Sequence, residues 1–168
     1  MEDHVSTDAS PRVPAAVLSW VNVRQLVDRA TASLTRRMFQ QQVELVTDVP
    51  QYLVVRAEGD QIQRAVFNLL LNALDAMPGG GRVVITACLG ARGFELEVAD
   101  SGPGLSDTVR EHLFETCFTT KRGAAGMGLS IVRRIARAHG GEVTAVNCPE
   151  GGAAFTVRIP AQASAVAA

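Results

Sequence analysis

Residues 59–77 constrain the fold most. Ile62, Ala65, Val66, Leu69, Leu70, Ala73 and Leu74 recur there at helical spacing on one face. A helix striped in this way needs an apolar layer to lie on. Pro78-Gly79-Gly80-Gly81 ends it, because proline and glycine do not continue a helix. The segments that follow supply the layer. Residues 82–89 and 94–99 are rich in β-branched and apolar types and join at 90–93, which predicts a hairpin. Strands near 142–146 and 154–159 flank a Gly151-Gly152 turn, and a helix is expected over 127–139.

Upstream, Val23, Leu26, Val27, Ala30 and Leu34 predict one amphipathic helix over 23–41. Residues 43–46 and 52–55 read as two short strands at a turn around Pro50. Hairpins require antiparallel pairing, which argues against a doubly wound parallel sheet. The expected class is α+β, a two-layer α/β sandwich with a mixed, mainly antiparallel sheet of about five strands packed on three helices. A length of 168 residues with 47% hydrophobic content suits one domain. Residues 1–20, with Pro11 and Pro14 among Ser, Thr and acids, are expected to form a linker or loose arm, 21–161 the domain, and 162–168 a flexible tail.

Charge and cysteine usage narrow the function. Sixteen basic residues against seventeen acidic ones leave a net charge of −1, so no field favours nucleic acid or an anionic membrane surface. Cys88, Cys117 and Cys148 are odd in number and far apart, which fits neither a disulfide framework nor a zinc site and suits a reducing cytoplasm. No apolar run approaches the roughly 18–20 residues of a membrane helix, so no membrane contact is expected from this segment. The expected location is cytoplasmic.

Four separated elements carry candidate chemistry. Asn68 and Asn72, at i and i+4, lie on one side of the second helix and flank its apolar stripe, so both amides can address one ligand or simply meet solvent. Amide oxygens are acceptable ligands for Mg²⁺, which takes further oxygens from phosphate and water. Asp100-Ser101-Gly102-Pro103-Gly104 directly follows a strand. It is either an ordinary turn or a carboxylate that accepts from an exocyclic amine, with glycines that admit a ligand close to backbone. Gly123-Ala124-Ala125-Gly126-Met127-Gly128-Leu129 leads into a helix whose first amides can hold an anion. Phe114 and Phe118 bracket a segment ending in Thr119-Thr120-Lys121-Arg122, a basic surface loop or a phosphate contact.

In order and spacing, Asn68-x-x-x-Asn72-Ala73, Asp100-x-Gly102-x-Gly104, the Phe-rich segment 114–121, Gly126-Met127-Gly128-Leu129 and the closing Gly151-Gly152 turn together resemble the catalytic and ATP-binding domain of sensor histidine kinases. That domain belongs to the wider superfamily that includes gyrase, Hsp90 and MutL, with its Bergerat-type fold. The runs "NLLLNALDAM" and "GMGLSIVRRIARAHGG" are most similar to kinases of the nitrogen-regulation and oxygen-sensing type. The resemblance covers about 23–160 and implies ATP and Mg²⁺ as cofactors. It implies that Asn72 ligates Mg²⁺ with Asn68 assisting, that Asp100 binds the adenine amino group, and that Gly102 and Gly104 let the chain pass the base. It further implies that residues 105–125 form an ATP lid, that Lys121 neutralises phosphate charge, and that Gly126 and Gly128 open a helix onto the phosphates. Asp75, Leu105, Phe114, Thr119, Thr120, Met127 and Leu129 complete the implied nucleotide-contacting set, with Asn68, Asn72 and Lys121 as its catalytic members.

In the hydrolytic relatives the position held here by Asn68 is a Glu that activates water, and an amide has no such basicity. Phosphoryl transfer to a histidine, whose imidazole attacks with its own lone pair, is therefore expected over hydrolysis. Ala124 replaces a usual glycine, and Ala153 and Ala154 stand where a hydroxyl that touches phosphate is common. Those departures keep open a docking module without kinase activity, beside a gyrase-like ATPase. The resemblance also implies two partners, a response regulator receiver domain and a histidine-bearing dimerisation hairpin acting in cis or in trans. None of His4, His112 and His139 sits in a pattern suited to a phosphoacceptor.

Overall fold

The computed structural model describes residues 18–113 and 128–160. The elements in chain order are β1 (Ser19–Asn22), α1 (Val23–Ala32), α2 (Thr35–Gln40), β2 (Val43–Asp48), β3 (Val54–Ala57), α3 (Gly59–Ala76), β4 (Gly81–Gly90), β5 (Gly93–Asp100), α4 (Asp107–His112), α5 (Gly128–Ala138), β6 (Glu142–Asn147) and β7 (Ala153–Ile159). The main sheet has five strands in the order β2-β4-β5-β7-β6, and β1 and β3 form a separate two-stranded ribbon. β2 and β4 pair in parallel, which needs a long crossover, and α3 supplies it. The other pairings in the main sheet are antiparallel. The result is the mixed, mainly antiparallel α/β sandwich expected from the sequence.

One face of the sheet holds the core. Val83, Ile85, Phe94, Leu96, Val98, Phe155, Val157 and Ile159 point inward at period 2 and meet the stripe of α3, with Val23, Leu26 and Val27 of α1 and Val132 and Ile135 of α5 beside it. Asp100 continues the inward register of Phe94, Leu96 and Val98, so β5 ends by carrying a carboxylate into the apolar layer. His139 ties two helices together, its Nε2 accepting from the Glu58 N–H at 3.0 Å while Nδ1 lies 2.8 Å from the Ile135 carbonyl. The Nδ1–H tautomer satisfies both contacts, which makes this histidine a buried joint.

Three expectations are corrected. The single helix over 23–41 is two helices that break at Ser33 and Leu34. The Ser33 hydroxyl donates to the Arg29 carbonyl and the Thr35 hydroxyl to the Thr31 carbonyl, local bonds that compete with the helix ladder. The strands at 43–46 and 52–55 do form, as β2 and β3, but they do not pair with each other; β3 pairs with β1. That ribbon begins at Ser19, inside the stretch 1–20 assigned to an arm, and Asn22 caps α1 by accepting from the Gln25 N–H at 3.0 Å.

Candidate nucleotide site

Asp100 is only 6% exposed, so burying its carboxylate demands partners. Its Oδ1 accepts from the Gly102 N–H at 2.9 Å and lies 3.4 Å from the Ala153 N–H at the start of β7. The next residue secures the loop to β4, because Ser101 N–H donates to the Arg82 carbonyl at 3.0 Å and Ser101 Oγ accepts from the Arg82 N–H at 2.9 Å. From the other side the β6–β7 turn closes in. Gly152 has φ of +89°, and a Cβ there would stand 1.8 Å from the Asp100 carbonyl oxygen, so no side chain fits.

α3 joins this loop to the rest of the site. A Cβ on Gly102 would lie 3.3 Å from the Ala76 Cβ, which places the Asp100 loop against the last turn of α3. At the far end, a Cβ on Gly128 would lie 3.4 Å from Asn68 Oδ1, which places the first residue of α5 against that amide. Asn68 Nδ2 donates back to the Arg64 carbonyl at 2.7 Å, so its oxygen is the atom turned toward Gly128. Asn68 and Asn72 are both half-buried beside the stripe. Eight residues of helix rise about 12 Å from Asn68 to Ala76, a span on the scale of a nucleoside triphosphate.

Other implied site residues take mixed positions. Leu105 is half-buried against the core, as is Leu129 one residue into α5. Asp75 lies on the Asn72 side of α3 but pairs with Arg37 of α2, so it braces those helices. Phe114, Thr119, Thr120, Lys121, Gly126 and Met127 lie outside the described residues. Among the described residues no group of three or more His, Cys, Asp or Glu side chains converges. The Asn68 and Asn72 amides carry oxygens of the kind that Mg²⁺ accepts alongside phosphate and water.

The structure relocates one departure noted in the sequence. Ala153 is buried next to Asp100 and Ala154 pairs with Ala99, so a hydroxyl at 153 would lie at the carboxylate end of the site and not at the end at Gly128. Sequence reasoning also missed Ser101, Asn147 and Cys148. Asn147 has no local motif to mark it, and only its pairing opposite Ala153 brings it to the site. Cys148 is free and half-buried in the β6–β7 turn. Burial pushes its thiol up from the ordinary value, helped by the negative charges of Asp100, Glu97 and Glu150.

Comparisons with known proteins place the family and the fold. The family described as histidine kinase-, DNA gyrase B-, and HSP90-like ATPase matches residues 57–163. The sensor protein FixL of Bradyrhizobium diazoefficiens is 39% identical over 144 residues, covering 83% of this chain and 28% of that protein. The signal transduction histidine-protein kinase BaeS of Escherichia coli is 31% identical over 146 residues, covering 83% of this chain and 31% of that protein. The chain thus spans about a third or less of the curated relatives it matches. Among solved structures, the catalytic domain of histidine kinase ThkA aligns with a TM-score of 0.78 at 27% identity, covering 86% of this chain and 97% of that one. The mycobacterial sensor histidine kinase MprB aligns at 0.76 with 29% identity, covering 87% of this chain and 99% of that one. The chain belongs to the histidine kinase-, DNA gyrase B- and HSP90-like ATPase family, and its fold is that of the ATP-binding catalytic domain of sensor histidine kinases.

Proposed function

We propose that this domain binds Mg²⁺-ATP along α3 and transfers the γ-phosphoryl group to a histidine on a dimerisation hairpin, from which a response regulator receiver domain takes it. The observation that supports this best is the use of α3 as a ruler, with the buried Asp100 loop at Ala76 and the Asn68 oxygen facing Gly128 about 12 Å away. Asp100 accepts the adenine amino group at one end. At the other, Asn72 and Asn68 would hold Mg²⁺ through their amide oxygens, the metal would supply charge neutralisation at the phosphates, and the first amides of α5 would meet the same charge. Lys121 adds positive charge to the leaving diphosphate.

Catalysis then consists of positioning and charge neutralisation, which is what phosphoryl transfer demands. The histidine nitrogen attacks the γ-phosphorus, the bond to the bridging oxygen breaks, and ADP leaves. Transfer is favoured over hydrolysis because Asn68 cannot take a proton from water. The hairpin acts in cis or in trans, and the site of action is the cytoplasm; among the described residues no helix is long and apolar enough to cross a membrane.

The test is incubation with a histidine-bearing dimerisation hairpin and ATP labelled at the γ position. The hairpin should gain acid-labile, base-stable label, and substituting its histidine should abolish that label. Label released only as inorganic phosphate would instead identify an ATPase.

A further inference from the structure

We infer that Asn147 is a positioning residue of the nucleotide site, its amide holding the backbone of Leu105 so that the Asp100 loop keeps its shape. The inference deepens the reading of that loop as the base-binding element and rests on it. Asn147 ends β6, the edge strand of the sheet, opposite Ala153. Its Oδ1 accepts from the Leu105 N–H at 2.7 Å and its Nδ2 donates to the Leu105 carbonyl at 2.9 Å. One side chain thus satisfies both backbone groups of a residue 42 positions away, as a neighbouring strand would.

This pairing requires an acceptor and a donor side by side on one planar group. A carboxylate only accepts, and a serine presents a single oxygen. Gly104 is shaped to the same contact. Its φ is +78°, and a Cβ there would stand 3.0 Å from Asn147 Oδ1 and 3.3 Å from the Gly152 carbonyl oxygen. The glycine that closes the Asp100-x-Gly102-x-Gly104 pattern thus suits its own left-handed conformation and leaves room for the asparagine.

The loop is pinned at its start by Ser101 on Arg82 and by Gly102 on Asp100. Asn147 pins its end, one residue before Ser106 caps α4. At the first pin, Gly102 also lies against Ala76. Loss of the second pin leaves Asp100 in place but frees the backbone that frames the base.

The experiment is calorimetric titration of wild type and Asn147→Ala with ATP and with ADP, alongside the thermal midpoint of the nucleotide-free proteins. The expected result is a Kd raised by roughly threefold to tenfold, by the same factor for both nucleotides, with an unchanged midpoint, because Asn147 is exposed. Unchanged affinity, or a lowered midpoint with unchanged affinity in the folded protein, overturns the inference and leaves the nucleotide site standing. Wild type that binds neither nucleotide overturns the reading of the site and this inference with it. Hydrogen exchange on the wild type gives an independent check. The Leu105 amide should be protected, more so with ATP, and exchange at the rate of an open loop amide would count against the contact.

Discussion

At the Asp100 end of the site, ligand-facing groups are set in backbone. Asp100 terminates a buried strand, Gly152 presses on its carbonyl, and Ser101 and Asn147 bond to main chain on either side. At the Gly128 end, the candidate site has two half-buried amides on the surface of α3, with Gly128 of α5 beside the Asn68 oxygen. A wall of backbone can recognise a flat base but cannot move without disturbing the sheet. Amides on a helix can exchange water for phosphate and metal at little cost to the fold. Changes at the buried groups of the first end should therefore cost stability and base recognition, a change at exposed Asn147 base recognition alone, and changes at the second end only the contribution of the metal.

The largest effect is expected at Gly152. Alanine there must adopt a left-handed conformation and clear the Asp100 carbonyl, costing about 2–5 kcal/mol in urea denaturation. Nucleotide binding by whatever remains folded should fall with it. A variant within about 0.5 kcal/mol of wild type would show that the turn yields, and the contrast between rigid and soft ends would not hold.

Asn72→Ala should do the opposite. Its stability should stay near wild type, while ATP affinity in Mg²⁺ drops on the order of tenfold, to the value measured in EDTA. A metal effect that survives the substitution would remove Asn72 as ligand. The smallest effect concerns Cys148. Because burial and the nearby carboxylates raise its pKa, less thiolate exists at neutral pH, so alkylation followed by site-resolved mass spectrometry should modify exposed Cys88 first. Cys148 should catch up only as the pH climbs above the usual thiol range. Equal rates at neutral pH would mean that the turn does not shield the thiol.

Periodicity made much of this legible. The stripe of α3 and the two hairpins stand in the sequence because each is a local pattern, with glycines at the turns. The break between α1 and α2 was not legible, since Ala30, Leu34 and Met38 keep their four-residue spacing across it and are all buried. The partner of β2 was hidden for a different reason: parallel pairing is decided across the whole of α3, and no adjacent turn signals it. At the site, Asp100, Gly102 and Gly104 form one contiguous motif. Asn147 is 42 residues from Leu105, and only the sheet register brings them together. The resemblance implies a phosphate-touching hydroxyl where Ala153 and Ala154 stand, whereas the strand order sets Ala153 beside the carboxylate.

Titration calorimetry of ATP with and without Mg²⁺, on wild type and on Asp100→Asn, tests the central claim most directly. Wild type should bind more tightly with the metal than without it. The variant should lose about 1.5–3 kcal/mol, the range for a hydrogen bond to a charged group, whether or not Mg²⁺ is present. Equal affinity for the two proteins, or no binding by well-folded wild type, would contradict the claim.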